Sequence, residues 1–124
     1  MAPRALVQNA GSERQVRRAQ RKEREYDDRL LEALRATLAT PHGRVLVYEL
    51  LREARVYGSV WHDHGSRMAF NVGQQDFGHW ILAQAIRADE NLVSLMEREG
   101  RSWQMKEQTE TAAAQDGETE GATE

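Results

Sequence analysis

Thr40-Pro41-His42-Gly43-Arg44-Val45-Leu46-Val47-Tyr48-Glu49-Leu50-Leu51 is the stretch on which the fold turns. Proline disfavours helix at the residue before it and suits the first helical position, so Thr40 reads as an N-cap and Pro41 as the start of a new helix. From Pro41 to about Arg55, Val47, Leu50, Leu51 and Ala54 recur at helical spacing and are expected as one buried face. Val45, Leu46 and Tyr48 widen that face near its start. A helix with such a face has to be covered by other helices or by a partner.

Towards the N-terminus, no Gly or Pro interrupts Glu13 to Thr40, and Ser12 with Gln15 has capping-box spacing. Leu30, Leu31, Leu34 and Leu38 form a helical stripe in the second half of this run, whereas the first half offers only Val16 and Ala19 as apolar residues. Asp27 and Asp28 could cap a fresh start or sit inside one long helix, and one helix is the expectation, with its first half only conditionally ordered. Pairs such as Glu13 and Arg17 support the first half locally.

Towards the C-terminus, Gly58 and Gly65 bracket a segment from Val56 to Arg67 without helical period, which reads as a structured loop or short hairpin. A third helix is expected from Ala69 or Asn71 to Arg87, with Asn71 and Gln74 at capping-box spacing. Its apolar side reads as Phe70, Gly73, Phe77, Trp80, Ile81 and Ala85, with Gly73 and Gly78 marking close approach to another helix. Asp89 caps a fourth helix whose stripe is Leu92, Leu95, Met96 and Trp103, ending or bending at Gly100. Beyond Lys106 the chain has no core-forming residue and reads as a disordered tail. The expected class is therefore all-α: a small helical bundle or pair of helical hairpins with a long N-terminal helix.

The 124 residues carry a net charge of −3, but the charge is polarised along the chain. Residues 1–26, a basic and conditionally helical arm, hold seven Arg/Lys and three Glu, or +4. The core module, residues 27–106, sums to −1, and the tail, residues 107–124, to −6. A core of only about eighty residues is marginal by itself, which points to self-association. The absence of cysteine excludes disulfides, thiolate zinc sites and a thiol nucleophile. No apolar run reaches the roughly 18 residues of a membrane span, and the N-terminus lacks a secretory apolar region. A cytoplasmic setting is the expectation.

Candidate chemistry is sparse. Trp61-His62-Asp63-His64 places two imidazoles near each other, and Asp76 or His79 could nominally complete a metal site. A polar loop tip between glycines explains the same residues, and no metal is assigned. The serines lack a nucleophile motif, no Gly-rich phosphate loop exists, and neither catalysis nor a cofactor is expected. Arg14, Arg17, Arg18, Arg21 and Lys22 could contact nucleic-acid phosphates or dock on an acidic protein surface. Trp61, Trp80 and Trp103, with Leu30, Leu34 and Leu38, are the candidate partner-binding residues.

Several strings also form a pattern. The opening stretch Thr40 to Leu51, then Ala54-Arg55-Val56-Tyr57, Phe70-Asn71-Val72-Gly73-Gln74-Gln75, Trp80-Ile81-Leu82-Ala83-Gln84 and Ala88-Asp89-Glu90-Asn91-Leu92 resemble, in order, blocks of a family of small tailed-bacteriophage proteins. The resemblance spans about residues 28–100 and departs at His62-Asp63-His64, where the family has a small polar turn. It implies a non-enzymatic minor virion protein of a short-tailed phage, for head completion, portal association or ejection. Its partners would be the portal or internal core proteins and copies of itself. Its location would be the virion, and the host cytoplasm during assembly.

Overall fold

The computed structural model describes the backbone of residues 2–121 and the side chains of residues 11–119. Arg4 and the last three residues of the expected tail lie outside the described residues in those respects. Four helices follow one another, α1 (Ala2–Leu38), α2 (Pro41–Glu53), α3 (Gly65–Ala88) and α4 (Glu90–Gly121), and no strand occurs among the described residues. The chain is an all-α bundle in which α1 packs mainly on α3, and α2 on α4.

Local chemistry sets most helix ends. Thr40 is extended, and its hydroxyl accepts the Gly43 N–H at 3.0 Å while Pro41 opens α2. Asp89 does the same for α4, accepting the Leu92 N–H at 3.0 Å. The end of α2 is a Schellman turn: Val56 N–H donates to the Leu51 carbonyl at 3.1 Å and Arg55 N–H to the Arg52 carbonyl at 2.9 Å. Arg55 holds the left-handed position, φ 62°, which costs a residue with a β-carbon about 1 kcal/mol.

Three local expectations need correction. Ser12 does not start a helix, because the Ala-, Leu-, Gln- and Arg-rich residues before it already favour helix and α1 begins at Ala2 with Pro3 in its first turn. Asn71 does not cap α3, which starts at Gly65 behind His64; instead Asn71 is buried, and its side-chain N–H donates to the Val60 carbonyl at 3.2 Å. Gly100 does not end α4, which continues past it; it lies against the Tyr48 ring, where any β-carbon would collide. The acidic segment after Lys106 continues α4 as helix to Gly121. Its Glu, Gln and Ala residues suit that conformation, yet residues 105–119 are exposed throughout and pack on nothing that would bury them.

The core joins all four helices. Leu38 and Leu51 are fully buried, and Val47, Tyr48, Ala85, Val93 and Met96 surround them, whereas Leu50, expected on the buried face of α2, is half exposed. Arg44 is buried with them: its guanidinium donates to both Glu99 carboxylate oxygens, at 3.0 and 3.1 Å, and to the Leu38 carbonyl at 3.0 Å. One side chain thus ties the end of α1, the start of α2 and the middle of α4. The Tyr48 hydroxyl adds a bond to Gln104 at 2.9 Å and its ring stacks on Tyr57 at 5.4 Å. Burial, and next the Glu97 carboxylate, push the Tyr57 phenol well above its ordinary pKa, so it stays a neutral stacking partner.

Candidate docking surface

α3 has two unlike sides. Towards the core it presents Asn71, Gly78 and Ala85, every seventh residue; Ala88 is buried where the helix ends. At Gly78 a β-carbon would sit 2.6 Å from both Ala54 Cβ and Val56 Cγ2, so this glycine lets α3 approach the end of α2. Gln75 reaches the same turn, donating to the Arg55 carbonyl at 2.7 Å. Small and polar residues therefore make the inner contacts of α3, and the 55–60 turn is pinned by its side chains.

The outer side carries the large residues. Phe70 and Phe77 are each 61 % exposed and Trp80 is 50 % exposed. With Gly73 they fall within about 80° of the circumference at 3.6 residues per turn. Phe77 and Trp80 stack at 5.9 Å with 16° between their planes, and the Arg67 guanidinium lies 5.9 Å from the Phe70 centroid. Gly73, in the middle of this group, has open space where a β-carbon would be. The expected apolar stripe of α3 is thus mostly its outward side, with Ile81 and Ala85 turned to the core. The expectation of close approach holds for Gly78, and at Gly73 no helix of the chain arrives.

The other candidate residues scatter. Trp61, 71 % exposed, sits on the loop before α3, where its backbone N–H donates to the Ser59 hydroxyl at 3.1 Å. Trp103, 61 % exposed, borders a groove of about 340 Å³ between α2 and α4 that Val45, Tyr48, Met96 and Gly100 also line. Lys106 lies 5.5 Å from its ring centroid. Leu30 and Leu34 are half-buried on α1, and Leu38 belongs to the core with no surface left for a partner.

The basic arm is exposed along residues 11–26. Arg14, Arg17, Arg18, Arg21 and Lys22 cluster within about 140° of its circumference at 3.6 residues per turn. Arg17 meets Glu13 at 3.7 Å, an exposed pair that contributes little to stability. At the loop tip the His62 and His64 rings are 5.6 Å apart, and His62 Nδ1 accepts the His64 backbone N–H at 3.1 Å. Local turn chemistry thus occupies one of the two imidazoles. No cluster of three His, Asp or Glu side chains among the described residues is placed to hold a metal ion, so Asp76 and His79 do not complete one.

Arg44 and Gln75 help position these surfaces without a sequence signal for that role, and Asn71 and Gly100 were marked for other roles. No helix among the described residues is long and apolar enough to cross a membrane. Compared with protein-family models, with curated proteins and with solved structures, the chain matches none.

Proposed function

We propose that this chain is a non-catalytic docking protein, a minor virion component of a short-tailed bacteriophage that works by binding other particle proteins and copies of itself. The observation that carries the docking role is on α3, where Phe70, Phe77 and Trp80 share one side of the helix and Phe77 stacks on Trp80. The bundle covers one side and leaves Phe70, Phe77 and Trp80 in water. Exposed aromatics grouped on a rigid element are the usual anchors of protein interfaces. The phage setting is supported by the blocks at residues 40–51, 70–75, 80–84 and 88–92 that resemble the tailed-phage family. The portal or the internal core would then be the natural docking partner.

A mass-spectrometric inventory of purified particles tests the setting. The protein should be present at a fixed copy number per particle and stay through density-gradient purification. Its restriction to infected-cell lysate would overturn the virion role.

The one-sided cluster of cations on α1 favours a second reading, contact with nucleic acid. Neutralising phosphates releases counterions, so affinity should fall steeply with salt. A gel shift that is flat between low and physiological salt would exclude it, as would unchanged binding after Arg14, Arg17, Arg18, Arg21 and Lys22 are replaced by Gln.

A further inference from the structure

We infer that the outer side of α3 is a homodimer seam, on which a second copy of α3 lies antiparallel. The inference rests on the docking role proposed above and names its partner. Ser66, Phe70, Gly73, Phe77 and Trp80 are spaced four, three, four and three, the alternation by which one helix presents a continuous seam to another. Such spacing specifies a helical occupant. A helix of the same chain does not fill it, since the space beside Gly73 is open and the three aromatic residues are half exposed or more.

The seam is complementary to its own reverse. About a two-fold axis level with Gln75, Phe70 of one copy lies opposite Trp80 of the other, and Gly73 lies opposite Phe77. Each large ring meets either another ring or a notch that can receive it, and the same pairs repeat on the far side of the axis. An isologous interface requires this kind of reversal symmetry. None of the four facing positions is charged, so two copies meet without like charges at the centre of the seam. Gly73 fits the scheme as the site where the partner's Phe77 enters.

The area is of the right order. Each aromatic side chain covers roughly 150–250 Å², so the exposed portions of these three supply about 350 Å² per copy, nearly half of the roughly 800 Å² per partner in a stable interface. Flanking residues of the same helix, among them Ser66, Ala69 and Gln84, lie along the seam to extend it.

Sedimentation equilibrium on the full purified chain tests this directly. The mass should be twice 14.2 kDa at tens of micromolar chain. Gly73→Leu fills the notch from open space, so the fold should persist with unchanged far-ultraviolet dichroism and an equal or higher melting temperature, while the mass halves. Trp80→Gln, at an exposed site, should weaken the dimer at least tenfold with the fold kept. A wild-type chain that is monomeric under these conditions overturns the inference, and so does a Gly73→Leu chain that remains dimeric. The virion inventory answers separately: a monomeric chain found in particles would remove the seam and leave docking to the particle intact.

Discussion

The two sides of α3 invert the usual arrangement of a surface helix. Its inward side is built from Asn71, Gly78 and Ala85, and its outward side from Phe70, Phe77 and Trp80. Close packing explains the first at Gly78, where α3 sits so near the end of α2 that no β-carbon fits. The bundle gives no reason for the second, since rings held in water contribute nothing to this fold by burial. Stability and recognition are thus divided between the faces of one helix, and substitutions on each face should separate them.

The largest effect is expected at Gly78. Gly78→Leu drives a side chain into Ala54 and Val56, and overpacking of that kind costs about 3 kcal/mol. Chemical denaturation should show the loss, with early melting of the 55–60 turn. A stability within 0.5 kcal/mol of the parent, on the scale of a neutral surface change, would mean that the inner contact is looser than described.

Asn71 tests the polar part of the same side. Asn71→Ala strands the Val60 carbonyl and opens a small gap, for a cost of about 1–2 kcal/mol. Because the bond fixes the loop ahead of α3, limited proteolysis should cut more readily near Trp61 in the variant. Equal cleavage rates would show that the loop is held by other contacts.

These two residues also mark where the sequence was legible. Helix starts at Pro41 and Glu90 were readable because Thr40 and Asp89 bond within their own first turns. The continuity of α1 through Asp27 and Asp28 was readable for a similar reason, the lack of any breaker. The inward side of α3 was legible only at Gly78, because its other contacts come from small or polar residues and the periodic signal favours the large ones. Burial was decided by the space beside Ala54, a contact twenty-four positions away. Arg44 was hidden likewise: in sequence it is one more cation, and only Glu99 and the Leu38 carbonyl, brought together by the fold, explain its burial. The candidate surface was partly visible, in that Trp80 and the aromatic pair were marked, but their sidedness was not. The acidic end of α4 shows the reverse limit, since composition indicated missing packing and could not indicate the helical backbone.

On the outer side, Phe77→Ser should change the stability of the folded chain by less than about 0.5 kcal/mol, because the ring is exposed and makes no core contact. Recognition should respond instead: association with copies or with particle proteins should fall at least tenfold in a pull-down or sedimentation experiment. If Phe77→Ser destabilised the chain as much as Gly78→Leu, the two faces would not be separable and the comparison would fail.

The smallest effect belongs to the one outward residue of α3 that is tied to another helix. Arg87 donates to both carboxylate oxygens of Asp27 on α1, at 3.1 and 2.7 Å. Those bonds, with the charge of the guanidinium, hold the Asp27 carboxyl below its ordinary value of 3.8. The folded chain therefore binds fewer protons than the unfolded chain between 3.8 and the lower folded value. Whatever stability the pair contributes is present above that interval and lost as pH falls through it. The pair is exposed, so salt should screen the effect. An NMR titration of the Asp27 carboxyl should give a midpoint below 3.8 in low salt, returning towards it in Arg87→Met or at high salt. A midpoint that did not move in Arg87→Met would show that Asp27 is held by something other than α3. The outer side of the helix would then contribute nothing to the fold, and its aromatic seam would be left as its whole purpose.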